Sequence, residues 1–162
     1  MRDKYWALFT EIKHYEQYYE NYQIRAKRFN ALINGTCLIF SLGSVAGWSI
    51  WKVLPFLWGL IIAFMQLIAV LNSLFPFSQQ IAAIKFLVPQ ITKLFNRMAH
   101  DWDKTYQLSE SKISDLTYRY QTEFDDLESQ YTNDVYFPHN AWCAKMAEIE
   151  CKNYFKHHYN VG

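Results

Sequence analysis

Four tyrosines, Tyr15, Tyr18, Tyr19 and Tyr22, stand just ahead of three cations, Arg25, Lys27 and Arg28. Rings that stack on bases, beside cations that pair with phosphates, are the combination that holds nucleotides and single-stranded nucleic acid. Lys93 and Arg97 extend the same basic tier further along the chain. The candidate ligand-binding residues are therefore Tyr18, Tyr22, Arg25, Arg28, Lys93 and Arg97, and the ligand would be a nucleotide or a single-stranded oligonucleotide. Two plainer readings compete with this one. A helical seam already accounts for Tyr15, Tyr19 and Tyr22, and basic residues next to apolar runs are attracted to anionic lipid headgroups. No other chemistry stands out. The chain has no P-loop, GxGxxG, GxSxG, HExxH or CxxC. His157 and His158 are adjacent, so their rings diverge on a helix, while His14, His100 and His139 stand apart from one another. Glu123, Asp125, Asp126 and Glu128 lack the spacing and the glycine of a calcium loop and read as a solvated face. The three cysteines, Cys37, Cys143 and Cys151, fit neither a zinc module nor a disulfide framework and read as reduced thiols. The expectation is a non-enzymatic protein without metal or cofactor.

The elements that position these residues are set by segregation of charge. The chain has 162 residues, 51% of them apolar, and a formal net charge of +1. Its mean hydropathy of −0.17 looks ordinary. Yet between residues 29 and 84 the only charged side chain is Lys52. Two apolar runs, 29–51 and 54–77, each exceed the roughly 20 residues needed to cross a bilayer. Pro55 suits the first turn of the second helix, so the two runs read as a tight transmembrane hairpin. Trp48, Trp51, Phe56 and Trp58 gather at the turn like an interfacial belt. Arg25, Lys27 and Arg28 precede the first run; Lys85, Lys93 and Arg97 follow the second. The positive-inside rule then places both termini in the cytoplasm of a two-pass inner-membrane protein. The charged, Tyr-rich stretch before residue 29 does not resemble a signal peptide.

Within the hairpin the spacing singles out small and neutral-polar residues. Gly43 and Gly47 make a GxxxG step, and Gly59 with Ala63 a second small step, both suited to close helix packing. Asn34, Ser41 and Ser44 share one face of the first run; Gly59, Gln66 and Ser73 share one face of the second. Either these faces pack, within the hairpin or between copies, or one of them lines an aqueous pore. Neither run carries an ionisable group of the kind that marks a proton relay. Two helices cannot enclose a conduit, so any pore requires a homo-oligomer, with a tetramer as the working guess.

The remaining chain reads as helix: residues 1–28 as an N-terminal cytoplasmic helix and 78–162 as a cytoplasmic helical region. Tyr5, Leu8, Ile12, Tyr15, Tyr19, Tyr22, Ala26 and Phe29 follow a three-four alternation that runs on into the first span, predicting one long helix. Ile84, Leu87, Ile91, Leu94, Met98 and Trp102 form the matching stripe after the second span, with Pro89 expected to kink or interrupt it. Ile113, Leu116, Tyr120, Phe124, Leu127 and Tyr131 form a third stripe. Asn140 is placed to cap a last helix, with Trp142, Met146 and Ile149 expected to point inward. Residues 109–137 carry a net charge of −5, against +2 for residues 1–28. The fold class expected is all-α: a transmembrane hairpin continuous with a cytoplasmic helical bundle.

The Tyr-rich leading helix, the RAKRFNALING entry into the first run, the short outer turn and the long returning helix together resemble SLATT-like two-transmembrane proteins over about residues 5–105. That resemblance implies a membrane effector of bacterial anti-phage defence, paired with a nucleotidyltransferase or a similar signalling enzyme; the channel effector of Hailong-type systems is the functional model. It implies an oligomeric ion channel, gated from its cytoplasmic helices by a nucleotide or oligonucleotide. The helices after Ser109 go beyond the SLATT pattern. The alternative is a non-conducting membrane scaffold that recruits a cytoplasmic partner.

Overall fold

Residues 2–28 contain neither glycine nor proline, and their apolar positions recur at helical spacing, so nothing local stops a helix once it starts. In the computed structural model it runs unbroken as α1, Arg2–Ala46. At 1.5 Å per residue its 45 residues span about 67 Å. The structure describes the backbone of residues 1–46, 55–74, 77–133 and 135–159. Side chains within those ranges are described except at 40–46, 55, 57, 58, 69, 71–74 and 77. The other helices are α2 (Pro55–Leu74), α3 (Phe77–Trp102), α4 (Glu110–Thr132) and α5 (Ala141–Tyr159), with a 3-10 turn at Asp103–Gln107 after α3. The described residues contain no strand, so the chain is all-α. α2 opens at Pro55, where a missing N–H costs nothing. α3 continues through Pro89 without a break in its helix, so of the kink or interruption expected there the interruption does not occur. Asn140 caps α5, its Oδ1 accepting the Cys143 N–H at 3.1 Å.

The chain divides into two compact units, Met1–Ile24 with Gln80–Gly162, and Arg25–Gln79. The first is a four-helix bundle with α1 and α3 at its centre. The expected seam is its main core line: Tyr5, Leu8, Ile12, Tyr19 and Tyr22 of α1 are buried against Ile84, Leu87, Ile91, Leu94 and Met98 of α3. The buried Tyr5 hydroxyl donates to the Met98 carbonyl at 2.8 Å. The other two helices flank this pair. α4 meets α1 through Tyr120 on Tyr5, Phe124 on Tyr15 and Glu128 on Tyr19. α5 meets α1 through Phe155 on Trp6 and Phe9, Cys151 on Thr10 and Glu150 on Asn21. At about 100° per residue, those two sets point roughly 140° apart on α1. α3 shows the same division, with Arg97 and Asp101 toward α4 and Phe95 toward α5. Thus α4 and α5 lie on opposite sides of the α1–α3 pair.

α1 buries a second line that the seam does not contain: Phe9, Lys13 and Glu16. Phe9 stacks on Phe95 with centroids 4.6 Å apart and planes 5° from parallel. Lys13 Nζ lies 2.7 Å from Glu16 Oε2, and the two side chains are only 10% and 7% exposed. The other Glu16 oxygen accepts from the Thr92 hydroxyl at 2.6 Å. The Lys13 ammonium also sits over the rings of Phe95 and Tyr154, 4.7 and 4.4 Å from their centroids. Both charges are thereby satisfied inside the bundle, which is the condition for burying them.

α5 turns a different face inward from the one its bulky residues suggest. Trp142 and Ile149 are 49% and 45% exposed, while Cys143, Ala147, Cys151 and Phe155 are buried. Small side chains at Cys143, Ala147 and Cys151 let α5 approach α1 closely, and Phe155 closes the end against Trp6 and Phe9. Phe29, at the end of the expected seam, is exposed.

Removing one member of the buried pair strands the other, at a typical cost of about 3 kcal/mol. Glu16→Gln should therefore lower the melting temperature of the full chain in detergent, followed by circular dichroism, more than the double change Lys13→Met with Glu16→Leu does. Equal melting of Glu16→Gln and wild type would show that the pair does not tie the bundle.

Candidate functional site

Lys93 and Arg97 are one helical turn apart on α3, and α4 passes beside them. Together with Gln90, Asn96, Glu123 and Leu127 they line an open cleft of about 470 Å³. The Arg97 guanidinium pairs with the Glu123 carboxylate and lies 6.0 Å from the centroid of the Tyr120 ring. Its hydrogen bond to Glu123 raises the Arg97 pKa, so the charge is permanent. Both side chains are about half exposed, and such a pair holds its geometry by roughly 0–1 kcal/mol at most. Lys93 is exposed and makes no ion pair among the described residues. The cleft thus offers an unengaged ammonium, two amide side chains and a guanidinium that a competing anion can draw from Glu123. This donor set suits a phosphate or a carboxylate.

The other ligand candidates lie elsewhere. Tyr22 is buried, and its hydroxyl donates to Gln80 Oε1 at 3.3 Å. Tyr18 is half-buried; its hydroxyl accepts the Asn140 N–H at 3.2 Å, and its ring packs on Tyr19 and Tyr22. These rings are packing surfaces, and their faces are not offered to a base. Gln80 and Lys93 are thirteen residues apart on α3, so Tyr22 lies roughly 20 Å from the cleft. Arg25 and Arg28 belong to the second unit, where the Arg25 guanidinium lies 5.7 Å from the Phe29 ring centroid. The structure therefore brings Lys93 and Arg97 together and leaves the other four outside that cleft.

The second unit has a different surface. Leu32, Leu38 and Ile39 of α1 and Phe56, Leu60, Phe64, Leu67 and Val70 of α2 are all exposed, Ile39 by 71% and Phe56 by 81%. Asn34, Ala63 and Gln66 are exposed among them. A side chain added at Gly59 would meet nothing within 4 Å, so among the described residues the Gly59–Ala63 step is not used for close packing inside the chain. The Thr36 hydroxyl satisfies itself on the Leu32 carbonyl at 2.8 Å. Ser41, Gly43 and Ser44 lie in α1 and Ser73 in α2, with surroundings outside the described side chains; Gly47 lies outside the described residues altogether. Among the described residues no helix is long and apolar enough to cross a membrane. The described residues also hold no cluster of metal-ligating side chains, and the cysteines are free thiols.

No family model, curated protein or solved structure matches this chain.

Sequence reasoning missed the buried polar residues. Lys13 and Glu16 look like an ordinary solvated pair, and only the Trp6, Phe9, Lys13 spacing hints at a second inward line. Gln80 is almost fully buried, donating through Nε2 to the Tyr136 carbonyl at 2.8 Å while accepting from Tyr22. Asp101 was missed too. It accepts from the Tyr120 hydroxyl at 2.8 Å and pairs with Lys104 at 3.2 Å, tying the end of α3 to α4.

Burial and the Asp101 hydrogen bond push the Tyr120 hydroxyl up to about 12. Burial tends to raise the Asp101 carboxyl, but Tyr120 and Lys104 outweigh it and hold the group below its ordinary value of 3.8. The depressed carboxyl contributes stability above its unfolded pKa and loses it as the pH falls through the folded value. The raised phenol contributes below its unfolded pKa of 10 and loses it as the pH rises through about 12. Tyr120→Phe should therefore melt lower than wild type at neutral pH, with the gap narrowing toward both extremes. A gap that stays constant across a melting-temperature profile from acid to alkaline pH would show that the hydrogen bond is not what the substitution removes.

Proposed function

We propose that this chain is a two-span membrane protein that assembles around an axis as a homo-oligomer and conducts ions between its spans. The helical bundle is the cytoplasmic gate. The observation that carries this reading is the exposed apolar surface of the second unit, on both α1 and α2. In water such a surface is an aggregation hazard; in lipid it is the ordinary exterior of a hairpin. The absence of any charged residue from the 20 residues of α2 supports the same reading. So does the basic tier at the ends of the two apolar runs, which favours cytoplasmic termini. Gly59, Ala63 and Gln66, exposed on α2, supply small and neutral-polar contacts for neighbouring copies or for water in a conduit.

A ligand shifts a gate only by binding its open and closed states differently. The α3–α4 cleft, with Lys93 and Arg97, is the place where an anionic signal would do so. Under the SLATT resemblance that signal is a nucleotide or oligonucleotide from a partner nucleotidyltransferase, and the outcome is depolarisation of an infected cell.

Purified protein in liposomes tests the reading. Ion flux is expected with wild type, with Gln66→Leu changing conductance and Lys93→Glu changing only its dependence on added nucleotide. Insertion with no flux under any nucleotide, from a monomer in detergent, would overturn the channel and leave the membrane scaffold. Protein that stays monodisperse in buffer without detergent would overturn both.

A further inference from the structure

The cations around the α3–α4 cleft come from both of its walls. On α3, Lys93 and Arg97 stand one turn apart, and both are exposed. On α4, Arg119 stands one turn before Glu123, about 40° from it around the helix, and is exposed as well. Like Lys93, Arg119 makes no ion pair among the described residues. The acids nearby are Glu123, Asp126 one turn beyond it, and Asp101. Asp101 is already engaged by the Tyr120 hydroxyl and by Lys104, at 2.8 and 3.2 Å. Glu123 is the acid that holds a cleft cation, and it holds it loosely: the Arg97 and Glu123 side chains are 54% and 41% exposed. A carboxylate resting on a half-exposed guanidinium occupies the position that an anion from outside would take.

We propose that the cleft takes the phosphate group of a soluble phosphate ester, that Arg119 joins Lys93 and Arg97 in receiving it, and that Glu123 is a built-in competitor that must leave Arg97 first. The inference rests on the reading of the cleft as the signal site and names its ligand chemistry and its restraint. An outside carboxylate would replace a group of the same kind that is already tethered in place, so it gains nothing by the exchange. A phosphate monoester carries a charge of about −1.5 to −2 at neutral pH and three acceptor oxygens, enough to engage all three cations. A half-exposed pair such as Arg97–Glu123 opposes it by no more than about 5-fold in affinity. A lipid headgroup carries the same phosphate chemistry, but the helix places it out of reach. Lys93 stands sixteen residues after Phe77, where α3 begins, a rise of about 24 Å. On the membrane reading Phe77 ends the second apolar run, and the headgroup layer beyond it is only about 5–8 Å deep.

Calorimetric titration of the full-length protein in a neutral detergent tests the site, with AMP, inorganic phosphate and acetate as probes. AMP and phosphate should bind, and acetate at the same concentrations should not. Lys93→Met and Arg97→Met should each raise the AMP Kd at least ~10-fold, and Arg119→Met about 3-fold. Glu123→Gln should lower it about 3-fold to 5-fold. AMP should also slow the modification of Arg97 and Arg119 by phenylglyoxal, read by peptide mass spectrometry. Without AMP, that modification should run equally fast in phosphatidylglycerol and in phosphatidylcholine vesicles. Slowing by phosphatidylglycerol alone would make a headgroup the source and overturn the soluble ligand. An AMP affinity unchanged by Lys93→Met and Arg97→Met overturns the site, and one unchanged by Arg119→Met removes Arg119 from it. Affinity that does not rise in Glu123→Gln overturns the competitor, and acetate binding as tight as phosphate overturns the selectivity. Absence of any phosphate binding overturns the site while ion flux in liposomes leaves the channel standing. The expected binding pattern without flux removes the channel and keeps the phosphate site.

Discussion

Lys13 carries its charge inside the bundle, its side chain only 10% exposed, and three helices meet around it. Its ammonium is held by Glu16 on its own helix, by the Phe95 ring of α3 and by the Tyr154 ring of α5. Thr92 takes up the remaining Glu16 oxygen. Three helices are thus joined through one charge, and the stack of Phe9 on Phe95 lies beside it. A buried pair adds little net stability over an apolar substitute, but it penalises every arrangement that leaves either charge alone. For α1, which has apolar side chains on two faces, that penalty selects which face meets which neighbour. α5 packs with its small residues inward, and α4 lies on the other side of α1.

The legible part of this architecture was the part written in a single apolar period. The line from Tyr5 to Tyr22, the line from Ile84 to Met98, the α2 start at Pro55 and the Asn140 cap all depend on local spacing or on one residue's geometry. What escaped depended on pairs distant in sequence. The orientation of α5 was misread because bulk suggests burial, whereas close approach to α1 favoured Cys143, Ala147 and Cys151. Pro89, expected to kink or interrupt α3, does not break it: one lost N–H is tolerable in a helix whose Ile84, Leu87, Ile91 and Leu94 are fully buried around it. Of the ligand candidates, only Lys93 and Arg97 share a cleft. Adjacency in sequence put Tyr22 near Arg25, but burial of the Tyr22 ring separates their roles.

Both units contain hydroxyls bonded to their own helix backbone, and the bundle adds longer-range bonds. The bundle uses long-range side-chain bonds, among them Tyr19 to Glu128 and Asn21 to Glu150, both at 2.6 Å. In the second unit, Thr36 bonds its own helix backbone. The balanced net charge of the whole chain conceals an uneven distribution, because between residues 29 and 84 Lys52 is the only charge.

The chain passes between the two units twice, after Ile24 and before Gln80. At both crossings the residue that anchors the bundle is part of one polar clamp. Tyr22 donates to Gln80, and Gln80 donates to the Tyr136 carbonyl in the loop between α4 and α5. Phe137 of the same loop packs edge-on against Tyr19 and Tyr22. A ligand that drew Arg97 from Glu123 would loosen α4 from α3. The clamp ties α1, α3 and the α4–α5 loop together at one end of the bundle.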